Sequence, residues 1–268
     1  MTETEPEHSD FEDFKNRIDF ARLGHVTGID GVRANWEDLR RDLISKLSAL
    51  RLFSSATCGL EPGLVEADWT WTRGRSAVSI QIFVSGAGHK KAQQKLLSLG
   101  SGTTMIRIPY ELAPSALGDL AIYTPDSPSD AIIWVYRNVC VCVRSHGDHV
   151  DVRPIARAVQ KFMEARLVAR IAQFIPRVER VDVSSKAIRV GEECRLSLQL
   201  GGSTIPGSVL MEMYQIGEHW LEIRENALLT ARFLGKEPGQ ARVDVDVIDR
   251  ETLLSLALVV TVDVLPAE

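Results

Sequence analysis

Cysteine is scarce in this chain: four in 268 residues, at Cys58, Cys140, Cys142 and Cys194. That number excludes a disulfide scaffold. Cys140 and Cys142 fall two apart in a strand-like run, which sets their Cα atoms about 6.5–7 Å apart, at or past the upper limit for a bridge. All four are read as buried thiols of a reducing compartment. A basic excess is missing too. With 31 Lys and Arg against 36 Asp and Glu, the net charge is -5, which argues against a global electrostatic grip on nucleic acid. Aromatics make up 6%, few for a base-stacking platform. No long apolar run occurs. The most apolar window, 253–262, is too short to span a bilayer and reads as a buried strand. Catalytic signatures are also wanting: G-x-S-x-G, H-E-x-x-H, C-x-x-C and paired carboxylates do not occur. The sequence therefore points to no cofactor and no catalytic residue. The first ten residues are acidic and polar, the opposite of an export signal. Cytoplasm is the expected compartment; an exported protein is the alternative, should a leader have been removed.

What is present is an ordinary globular composition, 45% hydrophobic and 25% charged, long enough for two domains. Residues 1–10 read as a disordered acidic tail. Over 11–23, Phe11, Phe14, Ile18 and Ala21 recur at helical spacing, and Gly24, Gly28 and Gly31 then break the pattern. Trp36, Leu39, Leu43, Leu47 and Leu50 predict a helix over about 32–52. Residues 65–84 predict a hairpin turning at Thr72-Arg73-Gly74-Arg75, with Val65, Ala67, Trp69 and Trp71 on one face and Val78, Ile80, Ile82 and Val84 alternating on the return. A short helix follows, carrying Ala92, Leu96, Leu97 and Leu99. A strand at 103–108 stops at Pro109, and 110–130 reads as a long connection. Residues 131–144 read as two strands turning near Arg137-Asn138. Asp151 as N-cap and Pro154 in the first turn start a helix running to about residue 173, with Ile155, Val159, Phe162 and Met163 inward. An α+β domain, an antiparallel sheet packed with helices, is thus expected over 11–174. Phe174-Ile-Pro176 marks its end. Beyond it, seven short strands separated by Gly and Pro turns predict an all-β sandwich over 177–266.

Two resemblances add to this. Val181-Asp-Val-Ser-Ser-Lys-Ala-Ile-Arg-Val-Gly-Glu-Glu-Cys-Arg-Leu-Ser-Leu198 resembles the opening of bacterial immunoglobulin-like domains. Gly235-Lys-Glu-Pro-Gly-Gln-Ala-Arg-Val-Asp-Val-Asp-Val247 looks like their late hairpin. The resemblance covers about a third of the chain and implies an immunoglobulin-like sandwich used as a spacer, adhesion or docking module. The run from Leu117-Gly-Asp119 through 134–143 to Asp151–Val159 is similar to the end of α+β sensor domains in bacterial lipoproteins, which implies a non-enzymatic module. The signal peptide and lipobox cysteine of those proteins are missing, so their location is not implied.

Few side chains stand out as chemistry. His146, His149 and Asp151 form the densest set of metal-ligand types, in the spacing H-x-x-H-x-D; a polar turn and helix cap accounts for the same residues. Ser85-Gly-Ala-Gly-His-Lys-Lys91 precedes a helix and could face a phosphate, but it lacks the full phosphate-loop patterns. Asp244, Asp246 and Asp249 could ligate Ca²⁺, or simply alternate outward and turn. Trp69 and Trp71 fit a core or a ligand platform. Arg153, Arg157 and Lys161 recur every four residues on the outer face of the last helix of the first domain, where they could meet an acidic partner. The reading these features favour is a non-catalytic protein-binding or assembly protein. Another protein is its partner, and Arg153, Arg157 and Lys161 form the contact row. The alternatives are a metal-dependent hydrolase using His146, His149 and Asp151, and a nucleic-acid binder using the basic helix face.

Overall fold

A computed structural model describes residues 30–86, 88–102, 111–112, 117–124, 130–148, 150–202, 204–216 and 219–268. The predicted tail (1–10), the predicted 11–23 helix, the 103–108 strand and His149 lie outside the described residues. The chain is predominantly antiparallel β, with three α-helices among the described residues. It divides into two compact units. Unit 1 takes the chain up to Thr57, Glu66–Val84 and Gly88–Ile171; unit 2 takes Cys58–Val65, Ser85–Ala87 and Ala172–Glu268. No helix among the described residues is long and apolar enough to cross a membrane.

The first unit is organised by a seven-stranded sheet. Its strands are β2 (Arg51–Glu61), β3 (Leu64–Arg73), β4 (Ser76–Ser85), β5 (Glu111–Leu112), β6 (Leu120–Thr124), β7 (Ala131–Tyr136) and β8 (Val139–Gly147), in the order β2-β3-β4-β8-β7-β6-β5. The pairing of β4 with β8 runs from Ser76↔Gly147 to Val84↔Val139. Gly74 turns the β3–β4 hairpin at φ 58°, a left-handed conformation that glycine adopts without strain. The predicted turn at Arg137-Asn138 is present, with Arg137 itself left-handed. Helix α1 (Trp36–Lys46) starts where the Asn35 side chain accepts the Glu37 N–H, and it buries Trp36, Leu39 and Leu43. Helix α2 is His89–Gly102, and α3 is Arg153–Glu164.

Strand alternation gives this sheet two faces. Trp134, Val141 and Ile82 lie in register across β7, β8 and β4, and Trp134 donates its indole N–H to Gln160 of α3 at 2.9 Å. This face, with Trp69 and Trp71 from β3, is buried and apolar. Helix α3 covers it with Ile155, Ala156, Val159, Phe162 and Met163, and α1 packs on α3 through Trp36 and Phe162, ring centroids 6.1 Å apart. The opposite face carries Phe83, Gln81 and Ser79 beside Cys140, Cys142 and Arg144. Helix α2 packs over β7 and β8, and its Lys95 ammonium sits 4.5 Å from the Phe83 ring centre.

Three expectations need correction. The leucine stripe suggests a helix to residue 52, yet α1 ends at Lys46 and Arg51 opens β2. Ser, Thr and Gly are frequent in 51–61 and are poor helix formers, so sheet pairing wins. The 110–130 segment is not only a connection: Leu120–Thr124 pairs with β7 from Leu120↔Val135 to Thr124↔Ala131. The α3 helix stops at Glu164 rather than near 173. Leu167–Val168 becomes β9 and pairs with β1 (Gly31–Val32), and Ile171–Phe174 is a 3₁₀ turn.

In the second unit two four-stranded sheets enclose one core. One has the order β10-β12-β15-β14, the other β11-β17-β16-β13. The strands are β10 (Val178–Val183), β11 (Ala187–Arg189), β12 (Glu193–Leu200), β13 (Val209–Ile216), β14 (Leu221–Ala227), β15 (Thr230–Gly235), β16 (Gly239–Asp249) and β17 (Ser255–Leu265). Strand β11 escaped the sequence reading; it is three residues long and runs parallel to β17. Leu196, Phe233, Val243, Val245 and Val262 sit at the centre of the core. The predicted alternation of 241–247 holds for the valines, but Asp244 and Asp246 are buried as well.

Candidate functional site

The outer face of α3 is the best-defined surface row. Arg153, Arg157 and Lys161 are all exposed while the inner residues are buried. Four residues along a helix advance about 6 Å, so the three cations form a row roughly 12 Å long. Arg153 is already engaged: its Nε and Nη2 donate to the two Asp151 carboxylate oxygens at 2.8 and 3.1 Å. Arg157 and Lys161 have no ion-pair partner among the described residues.

The loop ahead of α3 puts its side chains to different uses. His146 ends β8, and its Nε2 lies 3.0 Å from the Ser79 hydroxyl. Partial desolvation, then the Arg144 guanidinium, lowers the affinity of this imidazole for a proton. Asp148 faces Arg75 at 3.9 Å. Asp151 accepts the Arg153 backbone N–H at 3.0 Å, one residue ahead of the cap position at Val152, and Pro154 occupies the first turn. His146 and Asp151 thus take separate protein partners, and His149 lies outside the described residues. Among the described residues, no three His, Cys, Asp or Glu side chains group as metal ligands.

The three aspartates of the second unit are also spread among protein partners. Asp244 accepts Arg242 Nε at 2.8 Å. Asp246 accepts the Gly63 N–H through both oxygens, at 3.1 and 2.8 Å. Asp249 holds the turn at 251–252 through three donors from Glu251 and Thr252. Beside them Glu212 accepts the Gly59 N–H at 2.6 Å and the Tyr214 hydroxyl at 3.3 Å. A Cβ at Gly59 would fall 1.6 Å from the Tyr214 hydroxyl, so any larger residue there must displace the Tyr214 and Glu212 side chains. Burial, then the Asp246 and Glu212 charges, pushes the Tyr214 phenol well up and keeps it neutral.

One cluster was not singled out in the sequence. On the polar face of the seven-stranded sheet, Gln81 Nε2 donates to Glu66 Oε1 at 2.8 Å and reaches Asp68 Oδ2 at 3.5 Å. Glu66 is only 8% exposed. Burial, then the neighbouring Asp68 charge, raises the Glu66 carboxyl; burial also raises Asp68. Cys142 lies opposite Gln81 in the register, with Arg144 beside it. The signal was present as the polar alternation Glu66, Asp68, Thr70 between Ala67, Trp69 and Trp71. It reads as a solvent face, and the burial of Glu66 comes only from the fold.

Trp69 and Trp71 are core residues, 6.3 Å apart edge to face. In 85–91, Gly88 is left-handed and His89 opens α2, while residue 87 lies outside the described residues. Cys140, Cys142 and Cys194 are buried and Cys58 is exposed; none is bridged. Burial raises the Cys140 thiol well above its ordinary value, which makes it a poor nucleophile. A scan of family models finds no match to this chain, and a search of curated proteins finds none either.

Proposed function

We propose that this chain is a non-catalytic protein-binding or assembly protein. A helix-backed α+β domain presents the α3 cation row to an acidic face of another protein, and an immunoglobulin-like domain serves as the docking module. The observation that carries the reading is α3 itself. Its inner residues are committed to the core, while Arg157 and Lys161 stand exposed one helical step apart with no ion-pair partner among the described residues. Such a row favours encounter with opposite charge and sets register more than it adds affinity.

The immunoglobulin-like part of the reading has its own support. Taking β10 and β11 as two halves of a first strand A, with β12 to β17 as B to G, the two sheets read A-B-E-D and A-G-F-C. That is the strand order of immunoglobulin-type sandwiches. Fold alone assigns no activity, so the docking role rests on the surface. Affinity purification of the full chain from its native cell, repeated with Arg157→Glu/Lys161→Glu, tests the proposal. The expected result is a protein partner lost on charge reversal while the melting temperature stays. A complex that survives the reversal overturns the α3 assignment; salt-sensitive retention on heparin at physiological ionic strength points to nucleic acid instead.

A further inference from the structure

Beside the N-terminus of α3, unit 1 opens into a cleft of about 710 Å³. Three segments line it: the end of α1 with the turn after it, the β3–β4 hairpin turn, and the loop leading into α3. Leu47, Leu50, Val150 and Ile155 give it an apolar lining. Lys46, Arg73 and Arg75 are exposed on its rim. Two carboxylates share the site, but Asp148 faces Arg75 and Asp151 is held by Arg153. Counting Arg153, four cations stand against two anions, so the rim favours an acidic occupant with apolar side chains.

We propose that the cleft receives the N-terminal segment of this same chain, with Phe11 and Phe14 on the apolar lining and the acids around them against Lys46, Arg73 and Arg75. The composition of the segment fits the rim. Between Met1 and Phe14 there are six acidic residues and no lysine or arginine. Its pattern fits the lining: the stripe Phe11, Phe14, Ile18 and Ala21 needs an apolar surface to cover it.

Its reach is sufficient. The segment joins the described chain at residue 30, next to β1, where the Val32 N–H is held by Asn138 at the β7–β8 turn. The cleft lies at the other end of the β4–β8 pairing, near Ser76 and Gly147. Eight strand residues separate those ends, roughly 27 Å. From Phe14 to Gly31 the chain spans about 55 Å fully extended, and still about 40 Å with residues 15–23 helical. Tethering supplies the remaining advantage, because a linked segment acts at millimolar effective concentration and weak contacts suffice.

Trypsin cleavage after Lys15 and Arg17 in the full chain tests this, because a docked segment is cut only from its undocked fraction. These bonds are expected to be cut at least about fivefold more slowly than in a synthetic peptide of residues 1–29. Protection should be unchanged on dilution. It should disappear in Phe11→Ala/Phe14→Ala and, separately, in Arg73→Glu/Arg75→Glu, whose exposed positions leave the melting temperature unaltered. Cutting at the peptide rate overturns the proposal. So does protection that survives the arginine reversals, which places the segment elsewhere, or protection that fades on dilution, which makes a second copy the occupant.

Discussion

The two faces of the seven-stranded sheet are built from alternate residues of the same strands, yet they bury different chemistry. Under α3 lie Trp69, Trp71, Ile80, Ile82, Trp134 and Val141, all apolar. On the other side the same strands also bury Phe83, Ile133, Val135 and Cys140, but they add Glu66, Asp68, Gln81, Cys142 and Arg144, with α2 bringing Lys95. The first face gains from every ångström removed from water. The second gains less, because each buried charge gives up hydration and recovers only part of it from a neighbour. Stability and spare chemical potential are therefore separated by a shift of one residue along each strand.

The strongest way to break this comparison is on the apolar side. Trp71→Ala removes the largest fully buried side chain of β3; urea unfolding should show a loss of about 3–5 kcal/mol. A loss below that on the apolar face would mean that the site collapses around the gap. Next comes a buried carboxylate of the second unit that holds a backbone N–H. Asp246 is fully buried and holds the Gly63 N–H, so Asp246→Ala should cost about 1.5–3 kcal/mol in the same measurement.

Glu66 should behave oppositely. Its carboxyl, like that of Asp68, has a higher proton affinity in the folded protein than in the unfolded chain. The folded state therefore binds more protons across the window between the ordinary carboxylate range and the raised values. Stability falls as pH rises through that window, and acidification from neutral restores it until both states are protonated. Glu66→Gln keeps an acceptor for Gln81 and removes the charge. It should raise the melting temperature near neutral pH and flatten this part of the pH profile. A drop in stability at neutral pH would show that Glu66 is compensated by more than Gln81. The smallest effect concerns the thiols. In the native protein a thiol reagent should modify Cys58 rapidly and Cys140, Cys142 and Cys194 only after denaturation; fast modification of Cys142 would mean that the polar face opens to solvent.

Legibility in the sequence followed local periodicity. The β3–β4 hairpin, the β7–β8 turn, the inner face of α3 and most strands of the second unit have patterns confined to a dozen residues, and those patterns survive folding. Three features were decided by distant partners instead. Strand β2 and strand β6 exist because β3 and β7 offer edges, which no local window shows. Strand β11 is three residues long, too short for any period to register. The exposed row at Arg153, Arg157 and Lys161 was readable because helical spacing fixes a face. The Glu66–Gln81–Asp68 cluster was not, since period-two alternation looks the same whether the polar side meets water or another helix.

The ribbon between Gly31–Val32 and Leu167–Val168 has a consequence for synthesis. Both of its halves, and the Asn138 side chain 106 positions from the Val32 N–H it accepts, are separated by almost the whole of the first unit. A ribosome must release that entire stretch before the ribbon can close, and closing so long a loop is entropically slow. The start of the described chain is thus among the last pieces to be fastened. A nascent polypeptide halted before Leu167 should keep its leading end open to chaperones, whatever the sheet behind it has already achieved.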